Sequence, residues 1–523
     1  MGYVIGVSSG MFMAAEAAEK LQYVTVPQKA FYGALKGVTF TQVDIESITE
    51  FKEPDLKKEV EKIKKLGLRI GIHGESYAMG GAEKPISMLD SAIEIEYIHA
   101  HQRLLQHIDG CAKIGAEYVN IHPSETTPFI RLGMHLTPSK LVDPWGRPFE
   151  DFLGKNPKLI EWALTQPFIC EIVFRYHRGD LFEEYVRREL QELRRIRGKE
   201  LSEEEIKQVK KETKENMIRA LKRYVASPEL SYGAERVAYY IVAKWMQNKR
   251  DSLWMSIVGK ILKDENLPKL AMQGAGKSWV PAVSAKYIYG HFNPKDKRFK
   301  DPKKILEKNK LFFIFETQMG GGGLEGLYRL MRPRDMIFLC KAIGSKWVGV
   351  CFDFEHVLSQ NIDPVEEIKS IPFGSASWIK VCHLGWPTPH APAHVPIFLG
   401  SKQQIWLYER LLELRKRGFK DGYLIFERAG RIAAGGPVQE SVLAIRLIKK
   451  YLEKDIPTKE LPEDFFGLPK GGPEIKRQQV TIREHFMDPL KGMLEIPEEE
   501  FTFLSSAAVK KGKAEEWKKE KRR

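Results

Sequence analysis

The chain has 523 residues, 43% of them hydrophobic and 11% aromatic, and a formal net charge of +14. That apolar content supplies a large core and excludes a disordered chain. No run approaches the roughly 18 apolar residues that a membrane span needs. The 5 cysteines form neither a CxxC pair nor a regular framework, which excludes a disulfide scaffold and a cysteine zinc module and suits a reducing, cytoplasmic setting. Excess Lys and Arg suits a polyanionic partner, nucleic acid or a phosphorylated small molecule, although Lys/Glu-rich surfaces of heat-adapted proteins read the same way.

The opening stretch, MGYVIGVSSGMF, lacks the basic region of a signal peptide, and YVIGVS (3–8) reads as a first strand. Seven more short apolar runs bounded by turn signals follow: VTFTQVDI (38–45), LRIGIH (68–73), EYVNIH (117–122), LFFIFE (311–316), WVGVCFD (347–353), WIKVCH (378–383) and GYLIFE (422–427). Helical patterns lie between most of them. KEPDLKKEVEKIKKL (52–66) puts Leu56, Val60, Ile63 and Leu66 on one face, and 90–114, 402–416 and 437–452 show the same spacing. His99, His101 and His107 fall on polar positions of the 90–114 helix and are given no role. Near-continuous apolar strands alternating with helices mean a parallel sheet. Eight such units predict an α/β protein built on a closed (β/α)8 TIM barrel.

A barrel of this kind takes roughly 250 residues, so the interval between strands four and five is excess. The expected organisation is a barrel formed by 1–123 and 311–453, a mainly helical insertion over 124–310, and a charged C-terminal extension over 454–523. In the insertion, Ser202 and Glu205 form a capping-box pattern ahead of Ile206, Val209, Met217, Leu221 and Val225. GAERVAYYIVAKWM (233–246) is a strongly apolar helix, and HFNPKDKRFKDPKK (291–304) reads as a basic loop returning to the barrel. The chain ends in VKKGKAEEWKKEKRR, a charged, solvated terminus.

The ends of the strands carry the chemistry. Strand three ends in His73, four in His122, five in Glu316, six in Asp353 with His356 three residues on, seven in His383 and eight in Glu427. Strand C-termini of a TIM barrel open on one face, where residues distant in sequence converge. A lone histidine there is ordinarily a hydrogen-bonded core residue, and two acids can pair with Lys or Arg. Six metal-ligand residue types on six successive strands point to a multi-metal site, because a buried charge needs a partner or a metal. The mixture of His, Asp and Glu without Cys suits zinc first, with manganese, iron or magnesium as alternatives.

The connecting loops add candidates. HLGWPTPHAPAHVPIFLG, after strand seven, offers His390 and His394, with His394 the preferred ligand. ETQMGGGGLEGLYRL places Gly321 and Gly322 before a helix, where backbone N–H groups can approach a phosphate; flexible packing is the other reading of a bare glycine run. HGESY and HPSE add Glu75, Tyr77, Ser124 and Glu125 as partners behind the ligands, with Tyr77 also a candidate for contact with substrate.

Together these motifs resemble the endonuclease IV branch (AP endonuclease family 2) of the xylose isomerase-like barrels. The matching residues are His73, the His-Pro of NIHPS, the Glu of IFET, the Asp-x-x-His of DFEH, the His-Leu of CHLG and the Glu of IFER, over 3–123 and 311–452. The resemblance implies one metal on His73, His122 and Glu316, a second on Glu316, Asp353, His383 and Glu427, and Glu316 as the bridge. It implies a third ion on His356 and His394, but Pro392 stands where that branch has an Asp. The histidine usual after strand one is also missing.

The resulting expectation is a metal-dependent phosphodiesterase acting on nucleic acid, with abasic-site DNA as one candidate substrate. Glu316, Glu427 and His356 would be its catalytic residues, and two or three ions its cofactors. The alternative is a single-metal sugar isomerase or epimerase on the same barrel, in which Glu316 and Glu427 move protons at carbon. A third reading keeps the barrel as a binding scaffold and the insertion as an interaction module for nucleic acid or protein.

Overall fold

The structure, a computed structural model, describes residues 2–10, 25–75, 88–124, 140–166, 182–226, 231–257, 280–318, 330–385, 395–427 and 438–467. Tyr77, Glu125, Gly321, Gly322, His390, Pro392 and His394 lie outside them.

Eight strands are present: β1 (Tyr3–Ser8), β2 (Phe40–Asp44), β3 (Arg69–His73), β4 (Tyr118–Ile121), β5 (Phe312–Glu316), β6 (Val348–Asp353), β7 (Ile379–Leu384) and β8 (Gly422–Phe426). Each pairs in parallel with the next, and β8 pairs with β1, which closes the predicted barrel. Such strands are buried on both faces, which is why they read as unbroken apolar runs. The helices Leu56–Lys65, Glu94–Ile114, Lys402–Lys416 and Val438–Leu452 lie where the periodicity places them.

The two-residue repeat of a strand builds the interior in layers. Phe40, Tyr118, Ile314, Cys351, Val381 and Ile425 pack as one buried apolar cluster. Two residues further along the chain from each stand Gln42, Asn120, Glu316, Asp353, His383 and, just past the end of β8, Glu427. A polar layer thus lies directly above an apolar one. Gly71 belongs to the lower level of β3, where any side chain would run into the Tyr118 ring.

Between β4 and β5 the described helices are Phe149–Lys155, Pro157–Leu164, Phe182–Arg197, Glu203–Ala226, Ser231–Asn248, Ser252–Ile257 and Val280–Phe292, followed by Pro302–Asn309. The capping box is made: Ser202 N donates to Glu205 Oε2 at 2.8 Å, and Glu205 N donates to Ser202 Oγ at 3.3 Å. Val280–Phe292 packs on the barrel itself, with the Phe292 ring 5.3 Å from Phe313 and 5.7 Å from Phe315. Only 293–301 of the expected returning loop is free of helix. By internal contacts the chain divides into two units. Met1–Phe398 with Lys402–Asp455 holds the barrel and these helices; Leu399–Ser401 with Ile456–Arg523 contributes short turns at Thr458–Glu460 and Glu463–Phe466. No described helix is long and apolar enough to cross a membrane. Cys111, Cys340, Cys351 and Cys382 are buried free thiols.

The helix Glu94–Ile114 departs from its sequence pattern, since His101 and His107 are buried. His101 is covered by the later helix Val280–Phe292: His101 Nδ1 lies 3.1 Å from His291 Nδ1, and His101 Nε2 lies 3.1 Å from the Lys300 carbonyl. Burial holds His101 and His107 down at about 4, and His291 well below its ordinary value. Their folded values lie below the unfolded one, so their contribution is intact above pH 6.5 and is lost as pH falls toward 4. Urea denaturation at pH 7 and pH 5 should show a loss of about 2 kcal/mol for each of His101 and His107; an equal midpoint at both pH values would show that neither is held neutral.

Candidate metal centre

The structure brings His73, His122, Glu316, Asp353, His356, His383 and Glu427 together at the C-terminal mouth of the barrel, all buried. Local structure explains the Asp-x-x-His spacing. Asp353 ends β6 and caps the helix Phe354–Ser359, its Oδ1 accepting from His356 N at 2.7 Å. That leaves Asp353 Oδ2 for the centre and turns His356 back over it. His356 Nδ1 lies 3.0 Å from the Thr317 carbonyl and 3.1 Å from Glu316 Oε1.

Four residues converge closely. His383 Nδ1 is 3.0 Å from Glu316 Oε1, 3.1 Å from Asp353 Oδ2 and 3.1 Å from Glu427 Oε2. Donors around one ion with bonds near 2.1 Å stand roughly 3.0–3.5 Å apart, so this spacing fits a single divalent cation. A lone N–H at Nδ1 would satisfy three carboxylates poorly. The other nitrogen is engaged, with His383 Nε2 2.9 Å from Gln42 Oε1.

Glu316 faces a second set with its other oxygen. His73 Nε2 lies 3.2 Å from Glu316 Oε2, and Asn120 Nδ2 donates to the same oxygen. His73 Nδ1 lies 2.9 Å from the Gly74 carbonyl and therefore carries the ring proton, which leaves Nε2 a lone pair aimed at a carboxylate. That contact requires a cation, either a proton or a metal ion. His122 completes the set: it, His73 and Glu316 offer ligand atoms within 4.8 Å of one another. Its Nδ1 is buried without a hydrogen-bond partner among the described residues. Three groupings among the described residues have ligand atoms all within 4.8 Å of one another, and each includes Glu316: with His73 and His122, with Cys351 and His383, and with Asp353, His356 and Glu427.

The electrostatics follow from crowding. Burial works against charge on His73, yet the hydrogen bond and charge of Glu316, with Asp44 and Glu427 behind, raise it to about 9. Burial likewise opposes charge on His356, and Asp353 and Glu316 raise it to about 10. Burial dominates at His122 and lowers it to about 3, which keeps a neutral imidazole. Burial, with Glu427 nearby, raises Asp353 to about 6. Glu316 is held well below the carboxylate range; burial opposes this, but the charge of His383 and the hydrogen bonds of His356 and His383 outweigh it.

Three residues of the mouth escape the sequence reading. Asp44 ends β2 opposite His73, the same signal that marks the other six, but the run reads on through Ile45. Its Oδ2 accepts from Ser9 Oγ at 3.1 Å and Gly10 N at 2.9 Å. Gln42 and Asn120 are mid-strand amides and carry no motif. Glu75 does not back a metal ligand: it accepts from Ile48 N at 2.5 Å and lies 3.9 Å from Arg103. Ser124 ties the end of β4 to Leu330, its Oγ donating to that carbonyl at 3.0 Å.

No family model and no curated protein matches this chain. Solved structures do. An L-ribulose 3-epimerase is 10% identical over 87% of this chain and 95% of its own, with a TM-score of 0.40. D-psicose 3-epimerase from Clostridium cellulolyticum H10, with D-tagatose, is 8% identical over 86% and 99%, at 0.39. A 3-keto-D-glucoside 4-epimerase from E. coli is 9% identical over 86% and 99%, at 0.35. At such values the reaction has to be read from the donors of this chain.

Proposed function

We propose that this protein is a divalent-metal-dependent isomerase or epimerase acting on a polyhydroxylated, sugar-like carbonyl compound. The observation that carries the reading is the convergence of Glu316, Asp353 and Glu427 on His383 Nδ1 at 3.0–3.1 Å. Three carboxylates and one imidazole suit manganese or magnesium. Such an ion polarises a carbonyl or hydroxyl oxygen of the substrate. Glu316 and Glu427, from β5 and β8, then serve as a pair of bases and acids: one removes the proton beside the carbonyl, and the other returns a proton to carbon. Delivery to the opposite face inverts that centre and consumes no co-reactant. His356, held on the Thr317 carbonyl, is placed to donate to a substrate oxygen. This puts first the reaction that the motifs rank second.

A second reading is favoured by Glu316 Oε2. With a further ion on His73, His122 and Glu316, a choice of ligands that suits zinc, the centre would serve hydrolysis of a phosphodiester. The +14 charge would then favour nucleic acid or a phosphorylated small molecule.

Metal content per chain separates the two. The first reading expects one equivalent, unchanged in His122→Ala, and deuterium uptake from D2O at the carbon beside a ketose carbonyl. Two equivalents, one of them lost in His122→Ala, with phosphodiester cleavage and no uptake, would replace it with the second.

A further inference from the structure

We propose that Gln42 is a positioning residue that fixes the ring tautomer of His383 and thereby opens its Nδ1 to the metal. The inference rests on a metal at His383, not on how many ions bind or which reaction follows.

An imidazole can offer a metal only the nitrogen that lacks a proton. A metal held by His383 Nδ1 among the three carboxylates takes the place of the proton there, so the one ring proton left in the metal-bound state belongs on Nε2. Gln42 Oε1 stands 2.9 Å from that Nε2 and is an acceptor only. The amide is itself held, because Tyr118 OH donates to the same Oε1 at 2.8 Å. Burial raises the Tyr118 phenol well above its ordinary value, which keeps it a donor. The Tyr118 ring lies 5.6 Å from Phe40 in a stacked arrangement and occupies the space that Gly71 leaves. A line of contacts therefore runs from the apolar layer through Tyr118 and Gln42 to His383.

A second observation separates this from packing. Gln42 Nε2 is buried without a hydrogen-bond partner among the described residues. Leaving a buried amide N–H unsatisfied is unfavourable, and an aliphatic residue would fill the space without that penalty. The amide is tolerated because its oxygen is needed. If the amide turned over, its N–H would meet His383 Nε2, the ring proton would move to Nδ1, and the ligand position would be closed.

The test is Mn2+ affinity by titration calorimetry, with the unfolding midpoint of the metal-free protein measured alongside. Gln42→Leu should weaken Mn2+ binding about 10- to 100-fold, the range for loss of a partner behind a metal-bound histidine. Gln42→Glu keeps an acceptor for both donors and should return affinity to the wild-type range. Equal losses in Gln42→Leu and Gln42→Glu would reduce Gln42 to a packing residue and overturn the proposal. Undiminished binding in Gln42→Leu would also overturn it, and would leave the proposed function standing. Wild-type protein that binds no Mn2+ or other divalent ion would overturn the proposed function and this inference together. Should Gln42→Leu not fold, Tyr118→Phe frees the amide to turn while keeping the ring; it should weaken Mn2+ binding several-fold, and full affinity there would overturn the proposal.

Discussion

Glu316→Gln should lose divalent-metal binding by at least about 100-fold, more than removal of a supporting partner produces, and turnover by about a thousandfold, within the range for loss of a general acid or base. The two carboxylate oxygens of Glu316 face two different sets of candidate ligands. Its Oε1 meets His383 and His356, its Oε2 meets His73 and Asn120, and it belongs to every candidate ligand group among the described residues. Glutamine preserves size but puts an NH2 group where one of these oxygens accepts or ligates, and it removes a negative charge from a site that must hold a cation. Glu427→Gln is the informative comparison, because Glu427 belongs to only one group. It should lose turnover with a smaller loss of metal. Metal content and affinity unchanged in Glu316→Gln would remove Glu316 from the centre and defeat both readings of function.

Metal binding should release protons, and affinity should climb with pH. In the metal-free protein His383 is raised well above its ordinary value; burial opposes this, but the nearby Cys351, Glu316, Glu427 and Asp353 prevail. His73 is raised to about 9. Both rings are protonated at neutral pH, and an ion must displace the proton from each nitrogen it takes. One ion on the four-donor set should release about one proton, and a second ion on His73 should release another. Affinity should rise about tenfold per pH unit for each proton released, and the His73 contribution should level off above pH 9. Calorimetry in two buffers of different ionisation enthalpy measures the count; zero release would mean that His383 is not a ligand. Stability follows the same linkage. His73 has a folded value above its unfolded 6.5, so its protonated contacts contribute fully below pH 6.5. Metal-free protein should lose that contribution as pH rises toward 9.

The barrel was legible because buried parallel strands have to be apolar throughout, so an acid or imidazole closing such a run stands out. That one contrast found His73, His122, Glu316, Asp353, His383 and Glu427. It failed at Asp44 only because Ile45 prolongs the run. Gln42 and Asn120 were beyond it, since a neutral amide inside a strand has no charge to betray it and its value lies in which neighbour its oxygen meets. The burial of His101 was hidden for another reason: helix periodicity describes one helix, and the residue that covers it, His291, is supplied by another helix 190 positions later. The ordering of reactions was the least legible feature. The same six residues serve one ion or two, and the choice depends on which oxygen of Glu316 is occupied.

The pairing of β4 directly with β5 has a consequence for the history of each new chain. Tyr118 and Phe312 are ladder partners, yet ribosomes lay down roughly 5–20 residues per second. For roughly ten to forty seconds the first half of the barrel therefore waits with the β4 edge open, as the β1 edge is until β8 is made, and with its hydrogen-bonding groups exposed. Helices made in that interval are available to shelter it, and among the described ones Val280–Phe292, which ends against Phe313 and Phe315, and then Pro302–Asn309 are made last before the missing strand emerges. Slowed elongation past Asn309, or a break in Val280–Phe292, should divert newborn chains toward aggregation without altering those that have already closed.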